Sequence, residues 1–95
     1  MSAEVAEAIR QTRRTLAEKT WVARAPRVGQ NETCLGVAVG LTGSDEVGDA
    51  FRDTLGIDML VQWNDWQTDV GAVLGMTLQA LIAELCKPTA LWRGK

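Results

Sequence analysis

Apolar residues recur every three or four positions in the first nineteen residues, which is the spacing of an amphipathic helix. Ser2 can cap this helix, and the pattern continues to about Lys19. Arg10, Arg13 and Arg14 fall on the opposite, polar side. The inward positions are Val5, Ile9, Thr12 and Leu16.

The next fourteen residues lack this spacing. Pro26, Gly29 and Asn31 break helices and favour turns, so we expect an extended arm with room for a short β-hairpin between the first and second helices. The apolar run Cys34–Leu41 follows, and a run of this length fits either a buried helix or a buried strand. We favour the helix.

A third helix is predicted after Ser44, which can cap it. Gly56 is placed to end it, because glycine readily adopts the left-handed conformation of a helix C-terminus. In the segment that follows, Ile57, Met59 and Val61 alternate with other residues, which predicts a short extended connector. The inward positions of the third helix are Val47, Phe51 and Leu55.

The last helix is predicted from about Thr68 to Cys86, because its apolar residues form a wide face and Lys87–Pro88 stops the helix. We expect this face to be the centre around which the other helices assemble. Gly71 and Gly75 would allow another helix to pack closely inside the fold. The leucines expected in the core are Leu74, Leu78, Leu81 and Leu85.

These elements predict a mainly α fold, namely a small four-helix single domain over residues 1–87 followed by a C-terminal tail over 88–95. Ninety-five residues suffice for one core, and 46% apolar with 23% charged residues is typical of a globular protein. In the tail, we expect Leu91 and Trp92 either to fold back onto the helices or to serve as a contact.

The chain shows no pattern of export. Met1 is followed by small and acidic residues, so we expect no secretory signal and a cytoplasmic protein with Cys34 and Cys86 as thiols. The most apolar segment, residues 70–85, contains Gln79 and Glu84 and is shorter than the ~20 residues that span a bilayer, so no membrane association is predicted.

Charge is unevenly distributed. Residues 1–30 carry +3, residues 31–84 carry −8 and residues 85–95 carry +3. Because an acidic middle repels phosphate, nucleic acid is a disfavoured partner, although the segment from Arg10 to Arg27 could contact another anionic molecule. Asp45, Asp49 and Asp53 are spaced to lie along one helix face, either as a solvated face or as a docking surface for a basic partner.

The absence of histidine excludes whole classes of chemistry. Ser–His and Cys–His nucleophile pairs and His-based zinc sites cannot form within this chain. The glycines at 36, 40 and 43 match neither a dinucleotide-binding nor a P-loop pattern. We therefore predict no enzymatic activity, no cofactor and no metal. A hydrolase that uses Asp65 with Cys34 is the remaining enzymatic hypothesis.

The most unusual segment is Trp63–Trp66, in which two tryptophans flank Asn64 and Asp65. One interpretation is structural: the polar pair satisfies free amides at a helix start while the indoles pack on Trp21 and the last helix. The other is a ligand-facing or partner-facing surface, since tryptophan is enriched at binding hot spots. The candidate binding residues are Trp21, Trp63, Asn64, Asp65 and Trp66.

The arrangement of Trp21, the run Cys34–Ala38 and the Trp63–Asp65 segment before the last helix resembles a family of small uncharacterised proteins from actinobacteria and their phages. Thr68 and Val70 continue the likeness, which covers roughly residues 5–86. The chain differs from the family pattern in having Trp66 and Gln67 before the threonine. The resemblance implies an α-rich fold and a phage or actinobacterial setting, and it implies no activity or ligand.

Together these observations predict a non-enzymatic interaction protein that binds a protein partner, either a host protein or a second copy of the chain. A phage-encoded modulator of a host protein is one form that this function could take. The alternative is a protein that binds a nucleotide or metabolite in a pocket lined by the tryptophans.

Overall fold

The structure is a computed structural model that describes residues 2–87. This part of the chain is mainly α, as predicted, and contains five helices and one two-stranded sheet. The helices are α1 (Ser2–Glu18), α2 (Leu35–Thr42), α3 (Asp45–Leu55), α4 (Leu60–Trp66) and α5 (Val70–Leu85). The strands are β1 (Thr20–Trp21) and β2 (Glu32–Thr33).

Helix α1 lies across the fold and packs against α2, α3 and α5. Its predicted apolar face is confirmed, because all four of its inward residues are buried. Thr12 is accommodated there because its hydroxyl donates to the Ala8 carbonyl at 2.9 Å. The buried core also includes Leu35 from α2, Phe51 from α3 and Val73 from α5.

The predicted second and third helices are confirmed as α2 and α3. Gly56 ends α3 in the left-handed conformation, at φ 71°, and its N–H donates to the Arg52 carbonyl. Ser44 occupies the N-cap position, but its side chain makes no capping hydrogen bond. Helix α5, in contrast, has a side-chain cap: the Asp69 carboxylate accepts a hydrogen bond from the Gly71 N–H at 2.7 Å.

The predicted β-hairpin is wrong. Strands β1 and β2 pair in parallel, with Thr20 opposite Glu32 and Trp21 opposite Thr33. A hairpin needs a tight reversal between its strands, whereas here residues 22–31 form a wide loop that brings β2 back in the same direction as β1. Two residues of this loop, Val22 and Arg24, bond to residues 64 and 65.

The prediction of four helices with an extended connector is also wrong, because residues 60–66 form α4. Leu60 and Asn64, one helical turn apart, are the buried residues of this helix. One of the two inward positions is therefore polar, and the helical period is hidden from a hydrophobicity pattern. Met59 and Val61, which gave the alternating pattern, are both exposed.

Helix α5 departs from the prediction in which side it buries. Leu81 is buried and Leu74 packs against the core, as expected, but Leu78 and Leu85 are exposed. Gly75 is exposed too, and a Cβ atom added there would meet no heavy atom within 4 Å, so it serves no close packing. The buried positions are Val73, Met76, Thr77, Ala80, Leu81 and Glu84.

The proposed tail, residues 88–95 with Leu91 and Trp92, lies outside the described residues. Within residues 2–87, no helix combines the length and apolar character needed to cross a bilayer.

Candidate functional site

The five candidate binding residues lie at the junction of α4, the β1 strand and the loop after it. Asn64 is completely buried, at 0% exposure, while Trp63 and Asp65 are half-buried on either side. Trp66, the last residue of α4, is 64% exposed. Trp21 and Trp63 both pack against the core. The segment therefore divides into an interior part and one exposed indole.

The Asn64 side chain joins three separate parts of the chain. Its Oδ1 atom accepts hydrogen bonds from Trp21 Nε1 at 2.7 Å and from the Leu35 backbone N–H at 3.0 Å. Its Nδ2 atom donates to the Val22 carbonyl at 3.2 Å. A buried amide whose atoms are all engaged is stable in an apolar interior, whereas the same groups left unpaired would be costly.

Through its bond to Leu35, Asn64 of α4 caps the N-terminus of a different helix, α2. Leu35 is the first residue of α2, and Cys34 at the N-cap position makes no capping bond with its side chain. A free N–H at a buried helix start needs an acceptor, and Asn64 supplies it from another helix. The prediction that Asn64 or Asp65 satisfies amides at the start of the helix that follows is therefore wrong: Asn64 bonds to the start of α2, and Asp69 caps α5.

Asp65 holds the loop that precedes β2. Its Oδ1 atom accepts from the Arg24 backbone N–H at 2.8 Å, and the Arg24 guanidinium donates back to the Asp65 carbonyl. Arg24 has a φ of 59°, the left-handed region that non-glycine residues seldom adopt. The paired contacts with Asp65 fix Arg24 in this conformation, so this carboxylate is engaged within the fold.

Two other sequence-predicted sites are located by the structure. The first is the Cys34 and Asp65 pair of the hydrolase hypothesis. Cys34 is half-buried at the start of α2, and the Asp65 carboxylate accepts a hydrogen bond from the Arg24 N–H, which is a structural contact. The acidic row on α3 faces solvent, and Asp49 pairs with Arg52 at 3.1 Å on the same helix. Among residues 2–87, no cluster of three or more Cys, Asp or Glu side chains is arranged to hold a metal ion.

The surface feature that the sequence reasoning missed is an apolar row on the outside of α5. We call Leu78, Ile82 and Leu85 the α5 stripe; their exposed fractions are 42%, 53% and 56%. Since an α-helix turns by about 100° per residue, these three positions fall within roughly 60° of one another. The periodicity of this face was visible in the sequence, but its exposure was not.

A basic groove between α1 and α5 borders this region. Its lining contains Arg10, Arg13 and Arg14 from α1 together with Leu74, which lies one turn before Leu78 on α5. Arg13 Nε donates to Thr77 Oγ1 at 3.2 Å, which fixes the guanidinium at the border of the two helices. Leu74, one turn before the α5 stripe, is thus the α5 residue that lies at the guanidinium groups of α1.

Exposed apolar side chains also occur on α2 and α4, where Met59 and Trp66, at the start and end of α4, are 62% and 64% exposed. Val37, Leu41 and Val61 are exposed there, and a Cβ atom added at Gly36 would lie 2.8 Å from a Val61 methyl group, so the two helices are in close contact.

Comparisons of the chain with family models, curated proteins and solved structures found no match. The resemblance to the actinobacterial and phage family stays a prediction.

Proposed function

We propose that this chain is a non-enzymatic interaction protein that binds a protein partner through the α5 stripe. The observation that carries the proposal is the exposure of three large apolar side chains on successive turns of one helix face. Single exposed apolar residues are common on protein surfaces, but contiguous apolar patches mark interaction sites. Their burial by a partner would contribute about 25 cal/mol for each Å² removed from water.

The charges around the stripe support recognition of a specific partner. The guanidinium groups of Arg10 and Arg14 are exposed next to Leu74, which leads into the stripe. Charged groups at the rim of an apolar contact steer association and fix the orientation of the complex more than they add affinity. The α5 stripe with its basic border therefore has the composition of a contact surface, with an apolar centre and a charged rim.

The bonding of the Trp63–Trp66 segment favours this function over the small-ligand alternative. A pocket built from that segment would need Asn64 and Asp65 to face a ligand, whereas their side chains bond to Trp21, Leu35, Val22 and Arg24. Trp66 alone among the five candidates presents most of its side chain to solvent.

We place this function in the cytoplasm, where Cys34 and Cys86, both free thiols, would stay reduced. The phage setting, with a host protein as the partner, rests on the family resemblance. A second copy of the chain is the other candidate partner. Sedimentation equilibrium of the chain separates the two, because it measures self-association directly.

The test compares Ile82→Ser with Leu41→Ser, which are matched because the two side chains are 53% and 54% exposed on different helices. Each variant and the original chain would be immobilised, exposed to host lysate and analysed by mass spectrometry. We expect proteins retained by the original chain and by Leu41→Ser to be lost with Ile82→Ser. An unchanged set of retained proteins with Ile82→Ser, or no enrichment at all, would contradict the proposal.

A further inference from the structure

The groove between α1 and α5 carries an unbalanced positive charge. Two of its three arginines, Arg10 and Arg14, have guanidinium groups that lie 3.5 Å from the Glu7 carboxylate. Arg13 is bonded to a neutral hydroxyl, that of Thr77. These four side chains therefore sum to a charge of +2 near Leu74, one turn before the α5 stripe, in a chain whose net charge is −2. A partner covering this surface gains from presenting acidic side chains at the groove.

The shape of the surface favours a helix as the partner. The α5 stripe has the i, i+4, i+7 spacing of one helix ridge, and the groove beside it runs between two packed helices. Side chains of a further helix fit such grooves in the ridge-into-groove packing by which helices associate. An amphipathic helix can cover an apolar row with one side while its edge presents carboxylates.

We propose that the α1–α5 surface binds an amphipathic helix of a partner protein, an inference that rests on the function proposed above. The apolar side chains of the partner helix contact the α5 stripe, and its acidic side chains contact Arg10 and Arg14. The partner's carboxylates take the place of solvent at two guanidinium groups that now share Glu7. Charge-assisted hydrogen bonds between carboxylate and guanidinium fix the orientation of the bound helix.

The α5 stripe of a second copy, packed on this surface, offers less charge complementarity. Helix α5 itself contains one carboxylate, Glu84, which is buried and paired with Lys87 at 2.8 Å. Two α5 stripes brought together would therefore supply no acidic side chain from α5 to the arginines.

An anionic membrane is also disfavoured as the occupant. Helix α3 packs on α5 and exposes Asp45, Asp49 and Asp53, and a flat anionic surface laid on α5 would approach these acids.

The inference is tested with three synthetic helical peptides of about 18 residues, stapled so that helicity is equal. All carry the same leucine ridge, and their flanking positions are glutamate, glutamine or lysine. Fluorescence anisotropy with the full chain measures each dissociation constant. We expect the glutamate peptide to bind about tenfold more tightly than the glutamine peptide, an advantage of two charge pairs that added salt reduces. The lysine peptide should bind most weakly.

Two charge-reversal variants locate the preference. Arg14→Glu should remove the advantage of the glutamate peptide and improve binding of the lysine peptide. Arg27→Glu makes the same change in charge at an exposed position in the loop before β2, and it should leave the order of the three peptides unchanged. Ile82→Ser should weaken all three peptides by a similar factor.

Equal binding of the three peptides would overturn the inference, as would a dimer in sedimentation equilibrium that Ile82→Ser dissociates. Binding of the chain to vesicles of phosphatidylglycerol more tightly than to the glutamate peptide would overturn it too. If lysate partners depend on Ile82 while the peptides show no charge preference, this inference is wrong and the interaction function stands. If the lysate partners do not depend on Ile82, the proposed function itself is wrong.

Discussion

The inner side of α4 and the outer side of α5 both depart from the usual relation between the polarity of a side chain and its burial. Asn64, a polar residue, is completely buried, whereas Ile82, an apolar residue, is half exposed. Asn64 can be buried because the chain supplies partners for both atoms of its amide. Ile82 stays at the surface because no other described helix covers that side of α5. Burial thus follows from the available partners as well as from residue type, and the following predictions test this contrast.

The largest effect is expected for Asn64→Ala. The change leaves the N–H groups of Trp21 and Leu35 and the carbonyl of Val22 without their partner, and each unpaired buried group costs about 1–3 kcal/mol. We expect the free energy of unfolding to fall by about 4 kcal/mol, measured by urea denaturation. Gln62→Ala, at an exposed position on the same helix, should change it by less than about 0.5 kcal/mol. Similar values for the two variants would remove Asn64 from its structural role.

The next effect compares two leucines on the same helix. Leu81→Ala removes a buried side chain from the core and should lower the free energy of unfolding by about 3 kcal/mol. Leu85→Ala acts on a side chain that is 56% exposed and should lower it by less than about 1 kcal/mol. Thermal and urea denaturation of both variants measure the difference. Equal losses would mean that the α5 stripe is covered within the chain and is unavailable to a partner.

A smaller and local effect is expected for Asp65→Ala, which removes the acceptor of the Arg24 N–H. We expect a loss of about 1 kcal/mol, with faster amide hydrogen exchange confined to residues 22–33. Asp65→Asn retains the Oδ1 acceptor and should lose less. This variant pair also addresses the hydrolase hypothesis, in which Asp65→Ala would abolish turnover while leaving the thermal midpoint almost unchanged.

The smallest effect is at the C-terminal end of α5. The hydrogen bond from Lys87 to Glu84 raises the pKa of the lysine above its ordinary value of 10.5. Because the folded-state pKa is the higher one, this contribution to stability is complete below about pH 10.5 and is lost as the pH rises through the folded-state pKa. Lys87→Met should lower Tm by a few degrees at about pH 8, since a pair with one solvent-exposed partner contributes at most about 1 kcal/mol.

The pH dependence supplies the control for that measurement. The difference in Tm between Lys87→Met and the original chain should shrink towards zero as the pH rises through the raised pKa of the lysine, where the lysine loses its charge. Lys87→Arg retains a positive charge at that pH and should keep its stability relative to Lys87→Met. A difference in Tm that is independent of pH would show that Lys87 acts by packing instead of by charge.

Sequence alone identified the helices whose inward positions are mostly apolar, and it missed α4, in which one of the two buried positions is polar. The spacing of Val5, Ile9 and Leu16 predicted α1, and Gly56 marked the end of α3. Helix α4 was not predicted because Asn64, a polar residue, occupies one of its inward positions. Asn64 was selected as a candidate binding residue only because two tryptophans lie near it in the sequence. The hydrogen bonds that bury Asn64 come from residues 29 to 43 positions away, and no local pattern contains them.

The sequence by itself determined that the described part of this protein is mainly helical, because helix periodicity, glycine stops and apolar spacing are properties of neighbouring residues. The tertiary structure alone decided which side of α5 is covered, since Leu81 and Leu85 are equally apolar and only the positions of α1 and α3 distinguish them. It likewise decided that β1 and β2 run in parallel, because the path of the loop between them, two of whose residues bond to α4, is not a property of neighbouring residues.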